Sequence, residues 1–534
     1  MNRKTLVLPA VVGLLAPVLA ACGGSDSGSS GGDAIVVGTT DQFTATKDAP
    51  APLDPAYAYD VGTWNILRQT VQTLMIQPRG EGEPVPEAAE SCGFTDSGNE
   101  RYACKLREGL KFANGDAITA QDVKYSIDRV RAINAEGGPV GLLSTIDTVE
   151  AKGDRDVIFH LKTADATFPY KLSTPVAGIV NPDDYEKKKL RDGFDVDGSG
   201  PYTLQSDVKN DSLVKATFTK NPNYKGTLKV NNSKAEMVSF ADADAMGKAL
   251  AKGDIDVMTR SMSPEQIQKL SAATDTNEDL VEMSGLEIRY LAFNTNAPSV
   301  KSKAVRQAMA QLINRGELVS KVYGTQAEPL FSLVPASITG HSNSFFNKYG
   351  DPSNAKAKSL LAAANITTPV KLTLHYTTDH YGSATKKEFE ILQKQLNSSG
   401  LFDVSIQGAL WKDYIPAERK GSYDVWGMGW FPDFPDADNY LAPFLDKDNF
   451  LKLPYRNSKI INNLIPASRR EADRIAASPD LTQIQDTVAD DVPILPLWQG
   501  KQYVAARDDV TGTAYALNSS STLQLWELSR GVSG

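Results

Sequence analysis

The residues best suited to chemistry cluster between positions 411 and 440 of this chain. Three of its six tryptophans lie there, Trp411, Trp426 and Trp430, and around them are Tyr423, Phe431, Phe434 and Tyr440. Asp433, Asp436 and Asp438 form an acidic group in the same segment, and Gly427 and Gly429 permit close backbone approach. An aromatic wall beside a carboxylate suits an organic cation, because ring faces attract positive charge and the carboxylate fixes an ammonium group. A buried core strand with packed tryptophans is the alternative explanation.

The rest of the sequence carries few signatures of catalysis. Its four histidines, at positions 160, 341, 375 and 380, offer few candidates for a general base. There is no G-x-S-x-G elbow, no phosphate-binding G-x-x-x-x-G-K-[ST] loop and no H-E-x-x-H zinc motif. Without a nucleophile paired to a base, the sequence predicts a protein that is not an enzyme and uses no cofactor. An exported hydrolase is the remote alternative.

Two further segments have ligands of the kind that metal ions use. Asp195–Gly200 matches the opening of a calcium loop, but Ser206 stands where the closing bidentate Glu belongs. His375–His380 brings two imidazoles near a carboxylate, although strand alternation puts His375 on the polar side. Acidic loop residues such as those at 433–438 more often cap helices or face solvent. We therefore predict no metal site.

Composition and charge narrow the class of protein. The chain has 534 residues, of which 41% are hydrophobic and 23% are charged, and its formal net charge is -9. This length predicts two or three folded domains. A nucleic-acid partner is excluded, because such proteins need clustered Lys and Arg to neutralise phosphates.

The N-terminus has the features of a bacterial export signal. Arg3 and Lys4 precede a mostly apolar stretch that is shorter than the ~20 residues of a membrane-spanning helix. The stretch closes on Leu-Ala-Ala-Cys, which resembles the lipobox of bacterial lipoproteins, with Cys22 as the acylated residue. We therefore predict a signal peptide over 1–21 and a lipidated, flexible Gly/Ser tether over 22–33. The protein would be anchored on the extracytoplasmic face of the cell membrane.

Export places the two other cysteines in an oxidising compartment. Cys92 and Cys104 flank a Ser97–Asn99 turn signal between two potential strands. A disulfide across this hairpin is predicted, with two free thiols as the alternative.

Hydrophobic periodicity predicts alternating helices and strands. Strands are expected at 34–39, 156–161, 370–376 and 402–407, and helices after Thr119, around 305–313, at 354–364 and at 385–397. The strand, helix and strand between 370 and 407 form a βαβ unit, which implies parallel pairing. The predicted fold class is α/β, in at least two lobes.

Five short motifs occur in order between residues 106 and 436. They are LREGLKFANG with ITAQDVKYS at 106–126, GSGPY at 198–202, FN with VRQA and NR at 293–315, DPSNAKAKSLL at 351–361 and GWFPDFPD at 429–436. Together they resemble the large substrate-binding lipoproteins of bacterial ABC importers, extracellular solute-binding protein family 5, which bind oligopeptides and dipeptides.

The resemblance implies a particular α/β architecture. It is a two-lobed, periplasmic-binding-protein-like clamshell of class II, of the large peptide-binding cluster, with an extra α/β subdomain. The expected division is lobe I from 34–60, 178–288 and 496–534, the extra subdomain from 61–177, and lobe II from 289–495. A peptide would be enclosed between the lobes.

The resemblance also implies a site and partners. In peptide-binding relatives, the aspartate three residues after the motif tryptophan pairs with the α-ammonium group of the ligand, and that position here is Asp433. Further expected ligand-binding residues are Trp430, Trp426 and Trp411, with Tyr59 and Trp64 from the opposite side. A monomeric protein would deliver its peptide to a membrane permease driven by a separate ATPase. An oligosaccharide, a metal chelate or a signalling peptide is the alternative ligand on the same scaffold.

Overall fold

The computed structural model describes residues 34–47, 49–79, 82–260, 262–273 and 277–531. The predicted signal peptide, the predicted lipidation at Cys22 and the predicted tether lie outside these residues. Within them, every helix is too short or too polar to cross a membrane.

The first part of the molecule, called lobe I here, is built on a mixed seven-stranded sheet. In spatial order its strands are Glu278–Met283, Gln502–Arg507, Val257–Met258, Ile35–Thr39, Lys234–Ser239, Ser212–Lys220 and Tyr202–Lys209. The predicted first strand is confirmed, and it pairs in parallel with both of its neighbours. The helices of this lobe are Val61–Thr70, Ala243–Lys252 and Pro264–Ala272.

A four-stranded antiparallel subdomain follows in the chain. Its strands are Ala89–Phe94, Arg101–Leu106, Asp156–Leu161 and Ile146–Lys152, and its helices are Ala120–Ile133 and Phe168–Lys171. Cys92 and Cys104 face each other across the first hairpin and form the predicted disulfide. The predicted helix start is also confirmed, because Thr119 and Asp122 form a reciprocal capping box. Short two-stranded sheets join Met75–Ile76 to Val85–Pro86 and Val510–Thr511 to Ser529–Arg530.

Lobe II is built on a six-stranded sheet. In spatial order its strands are Ala327–Pro329, Ile494–Gly500, Ile288–Phe293, Val425–Trp430, Val370–Thr377 and Phe402–Ala409. The last two strands pair in parallel around the intervening helix, which confirms the predicted βαβ unit. The helices of this lobe are Lys303–Leu312, Arg315–Val322, Ser344–Tyr349, Asn354–Ala363, Thr385–Ser398, Trp411–Arg419, Asp438–Leu445, Ile465–Arg470 and Ser478–Asp491.

Two adjacent chain segments connect lobe I to lobe II. One passes from Glu278–Met283 to Ile288–Phe293, and the other from Ile494–Gly500 to Gln502–Arg507. The segments run side by side, since Gly500 donates a backbone hydrogen bond of 2.9 Å to the carbonyl of Glu287. A Cβ atom at Gly285 would collide with the Gly500 carbonyl oxygen, so only glycine permits this approach. The pair of crossings forms a hinge between the two lobes of an α/β clamshell.

The expected lobe boundaries stay a prediction, and two observations bear on them. The boundary expected at 496 falls inside the strand Ile494–Gly500, which belongs to lobe II. The helix Val61–Thr70, expected in the subdomain, instead buries Trp64 and Leu67 in the hydrophobic core of lobe I. Burial of apolar side chains decides these memberships, and the sequence motifs do not encode it.

Candidate functional site

A cleft between the lobes forms a cavity that is open to solvent. Lobe I contributes Arg260 and Tyr503 to its wall, and lobe II contributes Arg289 and Trp498. Residues 500–502 of the hinge also line it. The cavity therefore lies where closure of the two lobes would enclose a ligand.

Asp433 lies at the contact of the two lobes, and the described residues that line the cavity do not include it. Its Oδ2 atom accepts a hydrogen bond of 3.1 Å from the Tyr59 hydroxyl and one of 2.9 Å from the Asn439 side-chain amide. Its backbone N–H donates to Asn439 Oδ1 at 2.8 Å, which fixes the loop on the helix Asp438–Leu445. Because Tyr59 belongs to lobe I, the hydrogen bond to Asp433 crosses the cleft.

The three aspartates of the motif loop have different partners. Asp436 forms a two-point ion pair with Arg474, with N···O distances of 2.7 and 3.0 Å. Asp438 forms a similar pair with Arg469, at 2.8 and 3.1 Å. Among the described residues, Asp433 accepts side-chain hydrogen bonds only from neutral groups. Its negative charge is therefore the one in this loop that lacks a direct cationic partner.

Burial has a measurable consequence for Asp433. It raises the pKa of this carboxyl from 3.8 to about 6, while hydrogen bonds from Asn439 and Tyr59 and the charge of Arg68 act in the opposite direction. Arg68 is itself buried, which lowers its pKa to about 10. At neutral pH the carboxylate is thus ionised but poorly compensated, and an ammonium group placed against it would stabilise the charged form.

Aromatic rings surround Asp433 from both lobes. The Tyr59 ring lies 5.5 Å from that of Trp64 and 5.1 Å from that of Phe450, measured between centroids. Phe450 in turn lies 6.0 Å from Trp430. The structure therefore brings together four residues that the sequence singles out, and it adds Phe450, which the sequence reasoning missed.

The other two tryptophan candidates lie elsewhere. Trp411 stacks on His380, with ring centroids 3.7 Å apart and planes within 5°, and His380 lines the cavity. Trp426 is 4% exposed and packs in the core of lobe II, between the strand neighbours Ala292 and His375. It is not among the described residues that line the cavity. Trp426 therefore fits the alternative explanation from the sequence, a tryptophan packed in a buried core strand.

Arg289 and Trp498 are cavity residues that the sequence reasoning missed. The Arg289 guanidinium forms an ion pair with Glu287 and lies over the Tyr381 ring, 3.9 Å from its centroid. Trp498 donates a hydrogen bond of 3.2 Å to the buried carboxyl of Glu388. One signal was available: Arg289 is the only charged residue in the strand Ile288–Phe293, whose side chains are otherwise apolar or aromatic.

Gly429 explains how Arg289 fits against the neighbouring strand. The two residues lie directly opposite each other in the antiparallel pair. A Cβ atom at position 429 would collide with the Arg289 guanidinium. The glycine of the GWFPDFPD motif therefore makes space for a cation at the cavity wall.

The segments considered for metal binding have other roles. No group of three or more His, Cys, Asp or Glu residues in the described parts of the chain is arranged to hold a metal ion. His375 stacks on Tyr423, with centroids 4.1 Å apart, and its Nδ1 atom lies 3.3 Å from the carbonyl oxygen of Val425. Asp436 and Asp438 are engaged by arginines, as described above.

Comparison with known proteins gives sequence relatives over most of the chain. The periplasmic murein peptide-binding protein MppA of Escherichia coli K12 is 26% identical over 85% of this chain and 86% of its own length. The oligopeptide-binding protein OppA of Bacillus subtilis 168 is 25% identical over 90% of this chain and 91% of its own length.

Solved structures show the same fold. DppA of Helicobacter pylori, in complex with the peptide STSA, matches with a TM-score of 0.78 at 21% identity, covering 93% of this chain and 98% of its own. AgaA from A. tumefaciens R10, in complex with agropinic acid, matches with a TM-score of 0.78 at 20% identity, covering 94% and 99%. The family described as bacterial extracellular solute-binding proteins, family 5 Middle, matches residues 83–452. The chain therefore belongs to the bacterial extracellular solute-binding proteins of family 5.

Proposed function

We propose that this protein captures peptides between its two lobes and delivers them to an ABC permease for import. Asp433 accepts the α-ammonium group of the peptide, and Trp430, Tyr59 and Trp64 form the aromatic wall around it. One observation carries the proposal: Asp433 is a buried carboxylate at the lobe contact whose side-chain hydrogen bonds come from neutral donors. A desolvated ammonium group would supply the missing charge.

Two further features support peptides as the ligand class. The sequence relatives are named for murein peptide and oligopeptide binding, and one structural neighbour was solved with a bound peptide. The family comprises solute-binding proteins, so the protein acts by binding and release, without catalysis.

The remaining parts of the proposal concern place and partners. The chain is exported, acylated on Cys22 and held on the extracytoplasmic face of the membrane by its tether. It acts as a monomer, and a separate ATPase drives the permease. Lobe I comprises about 34–71, 180–287 and 501–531, the subdomain 72–179, and lobe II 288–500, a division that follows the sheets and cores.

Closure of the clamshell would couple binding to transport. Lobe II already touches the subdomain, since Ala166 donates a 2.8 Å hydrogen bond to the Arg469 carbonyl and the Tyr170 ring stacks on Phe434 at 5.6 Å. A ligand stabilises this closed arrangement only through contacts that the open state lacks. A peptide ammonium group bound to Asp433 would make such a contact, because Asp433 lies where lobe II meets Tyr59 of lobe I.

Isothermal titration of the protein lacking residues 1–33 tests the peptide assignment. Trialanine is compared with N-acetyl-trialanine, which has lost the ammonium group but keeps the backbone. We expect acetylation to weaken binding by at least about 30-fold, the effect of losing a desolvated charge pair of ~2 kcal/mol or more. Equal affinity for both peptides would remove the ammonium group from the recognition. Native mass spectrometry of the purified protein identifies any ligand that it retains.

A non-peptide ligand is the second candidate, because AgaA shares the fold and binds agropinic acid. In that case neither trialanine peptide binds, and the retained ligand in native mass spectrometry has no peptide mass.

A further inference from the structure

Two buried aromatic rings, one from the subdomain and one from lobe II, cover each other at the contact of these two parts. Tyr170 is 9% exposed and Phe434 is 2% exposed, and their rings stack with centroids 5.6 Å apart. Among the described residues, neither ring belongs to a hydrophobic core cluster of its own part of the molecule. Because the stack spans the contact, parting the subdomain from lobe II would expose apolar surface of both rings to water.

Two hydrogen bonds join the same surfaces. The side-chain amide of Asn99 donates to the carbonyl oxygen of Arg470 at 2.9 Å, and the backbone N–H of Ala166 donates to that of Arg469 at 2.8 Å. Together with the ring stack, these hydrogen bonds form what we call the latch. The described lining of the cavity includes none of the latch residues, so the latch forms without contact to a ligand in the cavity.

Local hydrogen bonds fix the hairpin tip that carries Asn99. The Asp96 carboxylate accepts hydrogen bonds from the backbone N–H groups of Glu100 and Arg101, at 3.2 and 3.1 Å. Asn99 has a left-handed backbone conformation, with φ 54°, and its carbonyl oxygen accepts a hydrogen bond of 3.1 Å from the backbone N–H of Asp165. None of these hydrogen bonds involves the disulfide, so we expect the tip to keep its position without it.

A buried ion pair fixes the second segment of the latch. Asp165 is fully buried and accepts hydrogen bonds from Lys171 Nζ at 2.6 Å and from the Thr167 hydroxyl at 2.7 Å. The turn that these bonds close carries Ala166 and Tyr170. Side chains and backbone that are already ordered lose little conformational entropy when the lobes close, so more of their interaction energy favours the closed state.

The subdomain is joined firmly to lobe I. The chain enters it from the helix Val61–Thr70 and leaves it toward the strand Tyr202–Lys209, both of which belong to lobe I. Arg129 of the subdomain also forms a two-point ion pair with Asp54 of lobe I, with N···O distances of 2.6 and 2.8 Å, and both side chains are at most 1% exposed. Because breaking a buried ion pair is costly, the subdomain moves with lobe I, and opening of the hinge breaks the latch instead.

We propose that the latch keeps the ligand-free clamshell closed for part of the time and thereby raises its affinity for ligand. Phe434 directly follows Asp433, so the latch holds the same loop that presents the ammonium acceptor of the proposed function. The apparent Kd equals the intrinsic Kd divided by the fraction of molecules in the binding-competent state, so a larger closed fraction strengthens binding. The latch itself acts in the ligand-free chain, whatever the chemical class of the ligand.

Pulsed electron paramagnetic resonance between two spin labels measures the closed fraction. The labels are attached at Lys152→Cys in the subdomain and Lys386→Cys in lobe II, where the native side chains are 55% and 69% exposed. The protein lacks residues 1–33, and any retained ligand is removed by unfolding in urea and refolding. Without ligand we expect two distance populations, of which the one that matches this structure is the closed state.

Two variants each remove one contact of the latch. Asn99→Gly loses the amide donor but keeps the left-handed backbone, and Tyr170→Leu loses the stacked ring. One hydrogen bond or one aromatic stack changes an equilibrium about two- to tenfold, so each variant should lower the closed-to-open ratio by that factor. Asn210→Gly is the matched control, because Asn210 is also a left-handed asparagine at a hairpin tip, but in lobe I, and should leave the ratio unchanged. Asn99→Gly serves alone if Tyr170→Leu unfolds.

The outcomes that overturn the latch differ from those that overturn peptide capture. A ligand-free wild type with only the open distance overturns the latch, and so does a closed-to-open ratio that the latch variants leave unchanged. For trialanine, the Kd should rise by the factor by which the closed fraction falls, and an unchanged Kd beside a lowered closed fraction overturns the effect on affinity. Failure of trialanine to bind contradicts peptide capture, whereas the ratio measured without ligand still decides whether the latch exists.

Discussion

The Asp433→Asn substitution separates the cost of a buried charge from its use in binding. Burial places the pKa of Asp433 at about 6, roughly two pH units above its value of 3.8 in an unfolded chain. Each pH unit corresponds to about 1.4 kcal/mol, so the ionised carboxylate destabilises the ligand-free fold by about 3 kcal/mol at pH 7.5. Asparagine keeps the shape and an acceptor for Tyr59 while removing the charge. We therefore expect the variant to be more stable than wild type at pH 7.5, by up to about 3 kcal/mol.

The sign of the pH dependence follows from the raised pKa. Below about pH 3 the carboxyl is protonated in both the folded and the unfolded states, so the substitution changes little. Between pH 4 and 6 the unfolded chain loses its proton first, and wild-type stability falls relative to the variant. Above pH 6 the difference is constant. Urea unfolding at about pH 3 and at pH 7.5 measures both limits.

Binding responds in the opposite direction. Loss of the ammonium–carboxylate pair costs about 2–5 kcal/mol, so the Kd for trialanine should rise roughly 30-fold to several thousandfold. Asp436→Asn is the matched control, because Asp436 is equally buried but paired with Arg474, and its substitution should destabilise the fold at pH 7.5. Lower stability of Asp433→Asn at pH 7.5, or unchanged affinity, would refute the reasoning.

Three further predictions concern the site and its support. Peptide affinity should be highest above pH 6 and should fall by up to tenfold per pH unit below it. The reason is that Asp433 takes up a proton below pH 6, which the ligand must displace. A peptide affinity that calorimetry finds unchanged from pH 7.5 to 4.5 contradicts this. Gly429→Ala should displace the buried Arg289 guanidinium and lower the free energy of unfolding by roughly 1–3 kcal/mol, whereas unchanged stability in urea unfolding contradicts this. Replacing Cys92 and Cys104 by Ser should lower the free energy of unfolding by roughly 2–3 kcal/mol, through loss of the closed loop, and leave the Kd unchanged; a change in Kd would couple the hairpin to the cleft.

Local signals in the sequence were enough to predict several structural elements. The capping box at Thr119–Asp122 starts a helix as predicted, because both of its hydrogen bonds form within four residues. The strands at 370–377 and 402–409 pair in parallel as predicted, because the intervening helix supplies the crossover connection that parallel pairing requires. The disulfide forms across a short hairpin that its own turn residues specify.

Only part of the candidate site could be predicted from the sequence. Asp433 and Trp430 were found through the motif, and the structure places them at the lobe contact with Tyr59 and Trp64. Trp426 and Trp430 both pack in the core of lobe II, but the Trp430 ring also contacts Phe450, which packs against Tyr59 of lobe I, and the sequence does not encode this difference. The pairing of Asp436 and Asp438 with arginines more than 30 residues away was equally invisible.

The sequence by itself determined the α/β class, the hairpin, the family motifs and the candidate aspartate, because these depend on local periodicity, spacing and residue type. Only the tertiary structure decided which of three neighbouring aspartates lacks a cationic partner, and that Arg260 and Arg289 share one cavity. Both facts arise from contacts between residues far apart in the chain: the aspartate–arginine pairs form within lobe II, and the cavity forms where the two lobes meet.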